Sequence, residues 1–128
     1  MQPNQFIDAF VTWASGDPSI HAVLLVGSCA RGAERPDSDV DLLILGDAST
    51  LLSDSSWVLC FGSVRQFALE DYGAVTSIRV HYQSGLEVEY GIARDAWASA
   101  PLDPGTLKVL NTGYKALWDP KGLLTPLA

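Results

Sequence analysis

An α/β (α+β) fold is predicted by this sequence, because stretches of helical and of strand periodicity alternate along it without internal repeat. Its two most apolar runs are short strands. AVLLV (residues 22–26) leaves through a Gly-Ser turn, and after a twelve-residue spacer Asp39 and Asp41 open the second run, LLIL (residues 42–45). Runs with apolar side chains on both faces belong to strands covered on both sides of a sheet. Polar groups crowd the exit of one buried strand and the entrance of the next, and that crowding is the feature to explain.

The elements follow in order. Phe6, Ile7, Phe10, Val11 and Ala14 recur at helical spacing, with Asn4 as the expected cap and Gly16 as the stop. Residues 20–26 form the first strand, 28–32 one or two helical turns, and 40–45 the second strand. Residues 49–61 are expected to be helical, sending Leu51, Leu52, Trp57 and Leu59 toward a core. Strands are expected over 64–69, 75–82 and 86–92, then a short helix at 106–110, a short strand at 116–118 and a last apolar turn. Pro101, Pro104, Pro120 and Pro126 divide this tail into small pieces.

The central hairpin can be registered from polarity. With Gln83-Ser84-Gly85 as a three-residue loop and Gly85 left-handed, Tyr82 faces Leu86, His81 faces Glu87, Val80 faces Val88 and Arg79 faces Glu89. Every pair then matches. A two-residue loop sets Tyr82 against Glu87 and scrambles both faces.

Composition bounds the function. The 128 residues, 48% apolar, suit a single domain over 1–128, with a core at about 1–93 and a short C-terminal extension at 94–128. A formal charge of −7 repels phosphate backbones and no Lys/Arg cluster offsets it, so nucleic acid is not expected as a partner. Neither a signal peptide nor a membrane span is evident, which gives the expectation of a cytoplasmic, membrane-free protein. Cys29 and Cys60, 31 residues apart, lack the spacing of redox or zinc motifs and are expected to be partly buried thiols.

Two familiar motifs fail on the opening stretch. Gly27 to Gly32 has P-loop spacing, but Ala33 and Glu34 stand where lysine and Ser/Thr are required. Asp37, Asp39 and Asp41 have EF-hand spacing, but Leu42 replaces the turn glycine and Ala48 the final glutamate. Simpler chemistry survives. Asp39 and Asp41 share one face of a strand, with Cα atoms about 6–7 Å apart, and two such carboxylates suit a hard divalent cation. Gly27 permits close backbone approach, Ser28 offers a hydroxyl, and the turn that follows presents N–H groups to an anion. Phosphate holders and metal holders therefore meet at one edge, as a metal–nucleotide requires.

GSCARG followed by SDVDL resembles the signature of the DNA polymerase beta-like nucleotidyltransferase superfamily, and is similar to the minimal nucleotidyltransferases and the catalytic domains of aminoglycoside and lincosamide nucleotidyltransferases. The resemblance implies a nucleotidyltransferase fold, a short mixed β-sheet backed by helices. It also implies two Mg²⁺ ions and transfer of a nucleoside monophosphate, AMP from ATP, to a hydroxyl acceptor with loss of pyrophosphate. By position, Gly27 and Ser28 would hold the triphosphate, Asp39 and Asp41 would ligate metal, and Arg31 would neutralise phosphate charge. The third carboxylate falls on Glu87 or Glu89. Glu89 is preferred as the residue deeper in its strand, ligating metal and accepting the acceptor's proton, while Arg79 beside it would contact phosphate or orient the carboxylate. Each assignment has a plainer competitor: a solvated strand edge for Asp39 and Asp41, the wet face of a sheet for Glu87 and Glu89, a surface charge for Arg31, a cross-strand ion pair for Arg79, and core packing for the tryptophans.

The sequence ends at Ala128 without the long helical domain of the larger relatives. A small-molecule acceptor is therefore expected to need a homodimer interface, the tail after Arg94 or another protein. Two alternatives to an active transferase follow: an antitoxin-like nucleotidyltransferase that binds or adenylylates a HEPN-type partner, and an inactive nucleotide-binding remnant.

Overall fold

The computed structural model of the chain describes residues 2–27, 39–98, 104 and 113–125. Helix α1 (Pro3–Ala14) leads into strands β1 (Ile20–Val26) and β2 (Val40–Gly46), helix α2 (Ala48–Ser53) and a 3₁₀ segment, Ser56–Phe61. Strands β3 (Val64–Asp71), β4 (Thr76–Tyr82) and β5 (Glu87–Ala93) follow, then a second 3₁₀ segment, Asp95–Ala98, and strand β6 (Tyr114–Trp118). The sheet order is β3-β4-β5-β2-β1-β6. β2 and β5 run parallel and every other neighbouring pair runs antiparallel, so the sheet is mixed, as expected. The expected helices at 28–32 and 106–110 lie outside the described residues.

Alternation along the strands gives the sheet two unlike faces. One is apolar along the central strands. Val23, Leu25, Leu42, Ile44, Val80, Val88, Tyr90 and Ile92 pack there against Phe6, Phe10 and Ala14 of α1, Leu51 of α2, and Val58 and Phe61. Phe6, Phe10 and Ala14 are wholly buried at four-residue spacing, which fixes the inward stripe of α1. The opposite face is divided. Toward the chain reversal at Gly46 it is apolar, with Ala22, Leu24, Leu43, Leu45 and Ala93 covered by Trp97, Ala98 and Leu124. At the other end of the same strands it carries carboxylates.

Four local expectations are corrected. The N-cap of α1 is Gln2, not Asn4: Pro3 occupies the first turn, where its missing N–H costs nothing, and the Gln2 N–H donates to Gln5 Oε1 at 3.0 Å. The stretch 49–61 is not one helix. Asp47 caps α2 by accepting from the Thr50 N–H at 3.2 Å, the chain turns extended at Asp54, and Asp54 Oδ1 then accepts from the Ser56 N–H at 3.1 Å. The run Ser53-Asp54-Ser55-Ser56 offers the backbone local side-chain partners in place of helical ones, and the helix ends there. The new phase sends Val58 and Phe61 inward and leaves Leu59 58% exposed, contrary to its expected core position. Cys60 is exposed as well, not partly buried. Trp57 is half-buried as expected of a packing residue; its Nε1 donates to the Leu51 carbonyl at 3.0 Å and its ring stacks on Trp13.

The hairpin has the register that polarity matching predicts. Arg79 pairs with Glu89, Val80 with Val88 and His81 with Glu87. The Gly85 N–H closes the loop on the Tyr82 carbonyl at 3.0 Å, with Gly85 at φ +95°. No helix among the described residues is long and apolar enough to cross a membrane.

Candidate active site

The acidic end of the divided face is assembled by one parallel pairing. β2 lies beside β5 with Val40 opposite Val88 and Asp41 opposite Glu89. Two-residue periodicity then brings Asp39, Asp41, Glu87 and Glu89 to the same face. The hairpin adds Arg79 opposite Glu89 and His81 opposite Glu87. On the other side of β2, Val26 pairs with Asp41, so the chain leaves β1 at Gly27 directly beside that carboxylate. Gly27 has φ +75°, and a Cβ built there would collide with Asp41 Oδ2. The left-handed backbone favours glycine here, and any side chain would have to displace the Asp41 carboxylate.

Four acids this close oppose one another's ionisation. The Asp41 carboxyl is raised to about 6, first by burial and then by the charges of Glu89 and Asp39. Asp39 is also raised, by its partial burial and by a hydrogen bond and charge repulsion from Glu87. Arg79 answers this charge from the β4 side. Its Nη2 donates to Glu89 Oε2 at 3.0 Å, Nη1 to Glu87 Oε2 at 2.8 Å and Nε to Glu70 Oε1 at 3.1 Å. The guanidinium is held still more firmly protonated, above all by the Glu70 bond. His81 Nδ1 stands 3.0 Å from Glu87 Oε1.

Glu70 and its partner Tyr72 were not foreseen as part of this constellation. Glu70 accepts from the Tyr72 hydroxyl and from Arg79, which lowers its pKa. The signal was weak because VRQFALED shows no clean alternation, so the β3 register that brings Glu70 diagonally to Arg79 was not legible. Ser28 and Arg31, expected to contact phosphate, lie outside the described residues.

The residues suit a hard divalent cation. Their donors are carboxylate oxygens, burial and neighbouring negative charge together raise the Asp41 carboxyl, and the backbone passes close beside it at Gly27. Among the described residues no three such side chains converge closely enough to hold an ion as they stand. Glu87 and Glu89 each give an oxygen to Arg79, so ligation would draw Glu89 toward Asp41.

Residues 10–90 match the model of the nucleotidyltransferase domain. The chain belongs to this family. The matched region contains Gly27, both aspartates and Glu89. No curated protein matches the chain. Among solved structures, an aminoglycoside 6-adenyltransferase from Bacillus subtilis aligns with a TM-score of 0.59 at 18% identity, covering 73% of this chain and 35% of that one. The polymerase core of TRAMP, an RNA surveillance complex, aligns at 0.48 and 21%, covering 69% and 29%. A toxin-antitoxin crystallised with AMP-PNP aligns at 0.41 and 13%, covering 96% and 82%. The first shares the nucleotidyltransferase fold with this chain, which spans about a third of its length.

Proposed function

We propose that the protein transfers a nucleoside monophosphate from a Mg²⁺-bound NTP, with ATP the expected donor, to a hydroxyl on a small molecule or protein, releasing pyrophosphate. The observation that carries this reading is the parallel register that sets Asp41 beside Glu89, with Gly27 pressed against Asp41. Asp39, Asp41 and Glu89 would hold two Mg²⁺ ions, which supply charge neutralisation for the triphosphate and acidify the attacking hydroxyl. The turn at Gly27 admits the phosphates against the backbone, with Ser28 and Arg31 as their further contacts. Glu89 receives the proton as the acceptor oxygen bonds to the α-phosphorus. The bond from that phosphorus to the bridging oxygen breaks, and pyrophosphate leaves with its electron pair. Of the two roles open to Arg79, its bonds to Glu70, Glu87 and Glu89 favour orienting the carboxylates over contacting phosphate.

The test is incubation of the purified protein with Mg²⁺ and each α-labelled NTP against a panel of hydroxyl-bearing small molecules and proteins. The expected result is label in an acceptor with one pyrophosphate released per transfer. Identical yields from wild type and Asp41→Asn would refute the assignment.

A further inference from the structure

Arg79 meets its carboxylates in an unusual way. An arginine and a carboxylate favour a two-pronged pairing, in which two parallel N–H bonds reach the two oxygens of one acid. Here each donor nitrogen serves a different acid. Nε bonds Glu70 Oε1 at 3.1 Å, Nη1 bonds Glu87 Oε2 at 2.8 Å and Nη2 bonds Glu89 Oε2 at 3.0 Å, so no acid is clamped.

The consequence differs for the two glutamates of β5. Glu87 has a partner at both oxygens, because His81 Nδ1 lies 3.0 Å from its Oε1. Glu89 is held by one oxygen alone, and its Oε1 accepts no hydrogen bond among the described residues. Of the two, Glu89 is therefore the acid fixed at one oxygen and open at the other.

The strand order β3-β4-β5 shows what keeps Arg79 in this arrangement. Glu87 and Glu89 both lie on β5, and bonds toward that one flank leave the guanidinium able to turn and grip Glu89 with two prongs. Glu70 lies on the opposite flank. On β3, Ala68 stands opposite Arg79 and Glu70 is its diagonal neighbour, so the bond to Nε opposes the pull from β5. It also occupies a donor that a two-pronged grip uses, and because the guanidinium is planar and rigid, fixing Nε fixes the other two nitrogens. Glu70 is itself held, since its Oε2 accepts from the Tyr72 hydroxyl.

We propose that Glu70 is a positioning residue that acts through Arg79, preventing a two-pronged grip on Glu89 and so keeping Glu89 Oε1 available to a divalent ion. This rests on the metal-binding role proposed above for Asp41 and Glu89. The plainer role, an exposed cross-strand ion pair, contributes little to stability and leaves affinity for the ion unchanged.

Calorimetric titration of Mn²⁺ into the nucleotide-free protein tests the proposal without any acceptor. Glu70→Ala should weaken Mn²⁺ binding by about 10-fold or more, the usual cost of losing a residue that orients a metal ligand. Glu70→Gln still offers Nε an oxygen and should stay within about 3-fold of wild type. In an Arg79→Met or a Glu89→Gln background, Glu70→Ala should cost no more than about 2-fold, because the residue it acts through or upon is gone. Wild-type affinity in Glu70→Ala, or a loss that persists in full beside Arg79→Met, would overturn the inference alone. Equal Mn²⁺ affinity in wild type and Asp41→Asn would overturn the metal-binding reading, and this inference with it.

Discussion

Leu43 and Asp41 stand two residues apart on the same face of the same strand, and Ala93 and Glu89 bear a similar relation on β5. One half of that face is sealed by Trp97, Ala98 and Leu124; the other gathers acids, among which burial first and then the charges of Glu89 and Asp39 raise the Asp41 carboxyl to about 6. The difference separates what the sheet does for stability from what it is arranged to bind. Burying apolar surface contributes about 25 cal/mol per Å², whereas crowded carboxylates oppose folding until a cation joins them. A chain selected for stability alone would not hold four acids together there.

The sharpest way to break the contrast is at Gly27. Gly27→Val forces a side chain onto Asp41 in a left-handed backbone, and it is expected to abolish nucleotide binding as measured by calorimetry. Next comes the role of the glutamates. Glu89→Gln keeps its shape but cannot take a proton, so single-turnover transfer should fall by about 10²–10⁴-fold with nucleotide affinity much less affected. Glu87→Gln, at the mouth beside Asp39, should be mild; the reverse ranking would exchange their roles.

In the apolar half the sign of the effect changes. Leu45→Ala removes a fully buried side chain and should cost about 2–5 kcal/mol in urea unfolding. Asp41→Asn should instead stabilise the metal-free protein, by about 1–3 kcal/mol at pH 8. The sign follows from its pKa. A carboxyl raised from 3.8 to about 6 binds more protons folded than unfolded, so its penalty is full above pH 6 and fades as pH falls toward 4. Wild type should therefore gain stability over that window relative to Asp41→Asn, which urea titrations at several pH values would show. Saturating Mg²⁺ should shrink the difference.

Much of this contrast was legible in the residues. Asp39 and Asp41 announce a charged strand entrance, and matched polarity around Gln83-Ser84-Gly85 set the hairpin register that joins Arg79 to Glu89. Local patterns reach only as far as local pairings. The parallel contact of β2 with β5 spans 48 residues between Asp41 and Glu89, and only the family resemblance implied that the two carboxylates meet. The break of the 49–61 helix went unseen because Leu51, Leu52 and Trp57 keep apolar spacing while Asp54 and Ser55 draw the backbone away. Glu70 was missed because an exposed edge strand has no buried face to impose alternation.

The central claim is that the acidic end takes a nucleotide only together with a divalent ion. Isothermal calorimetry of the protein with ATP in Mg²⁺ and in EDTA addresses it most directly. Binding in Mg²⁺ that disappears in EDTA is the expected result, because a chain of charge −7 with four acids on one end of a sheet face repels a bare triphosphate. Equal affinity in both would contradict it.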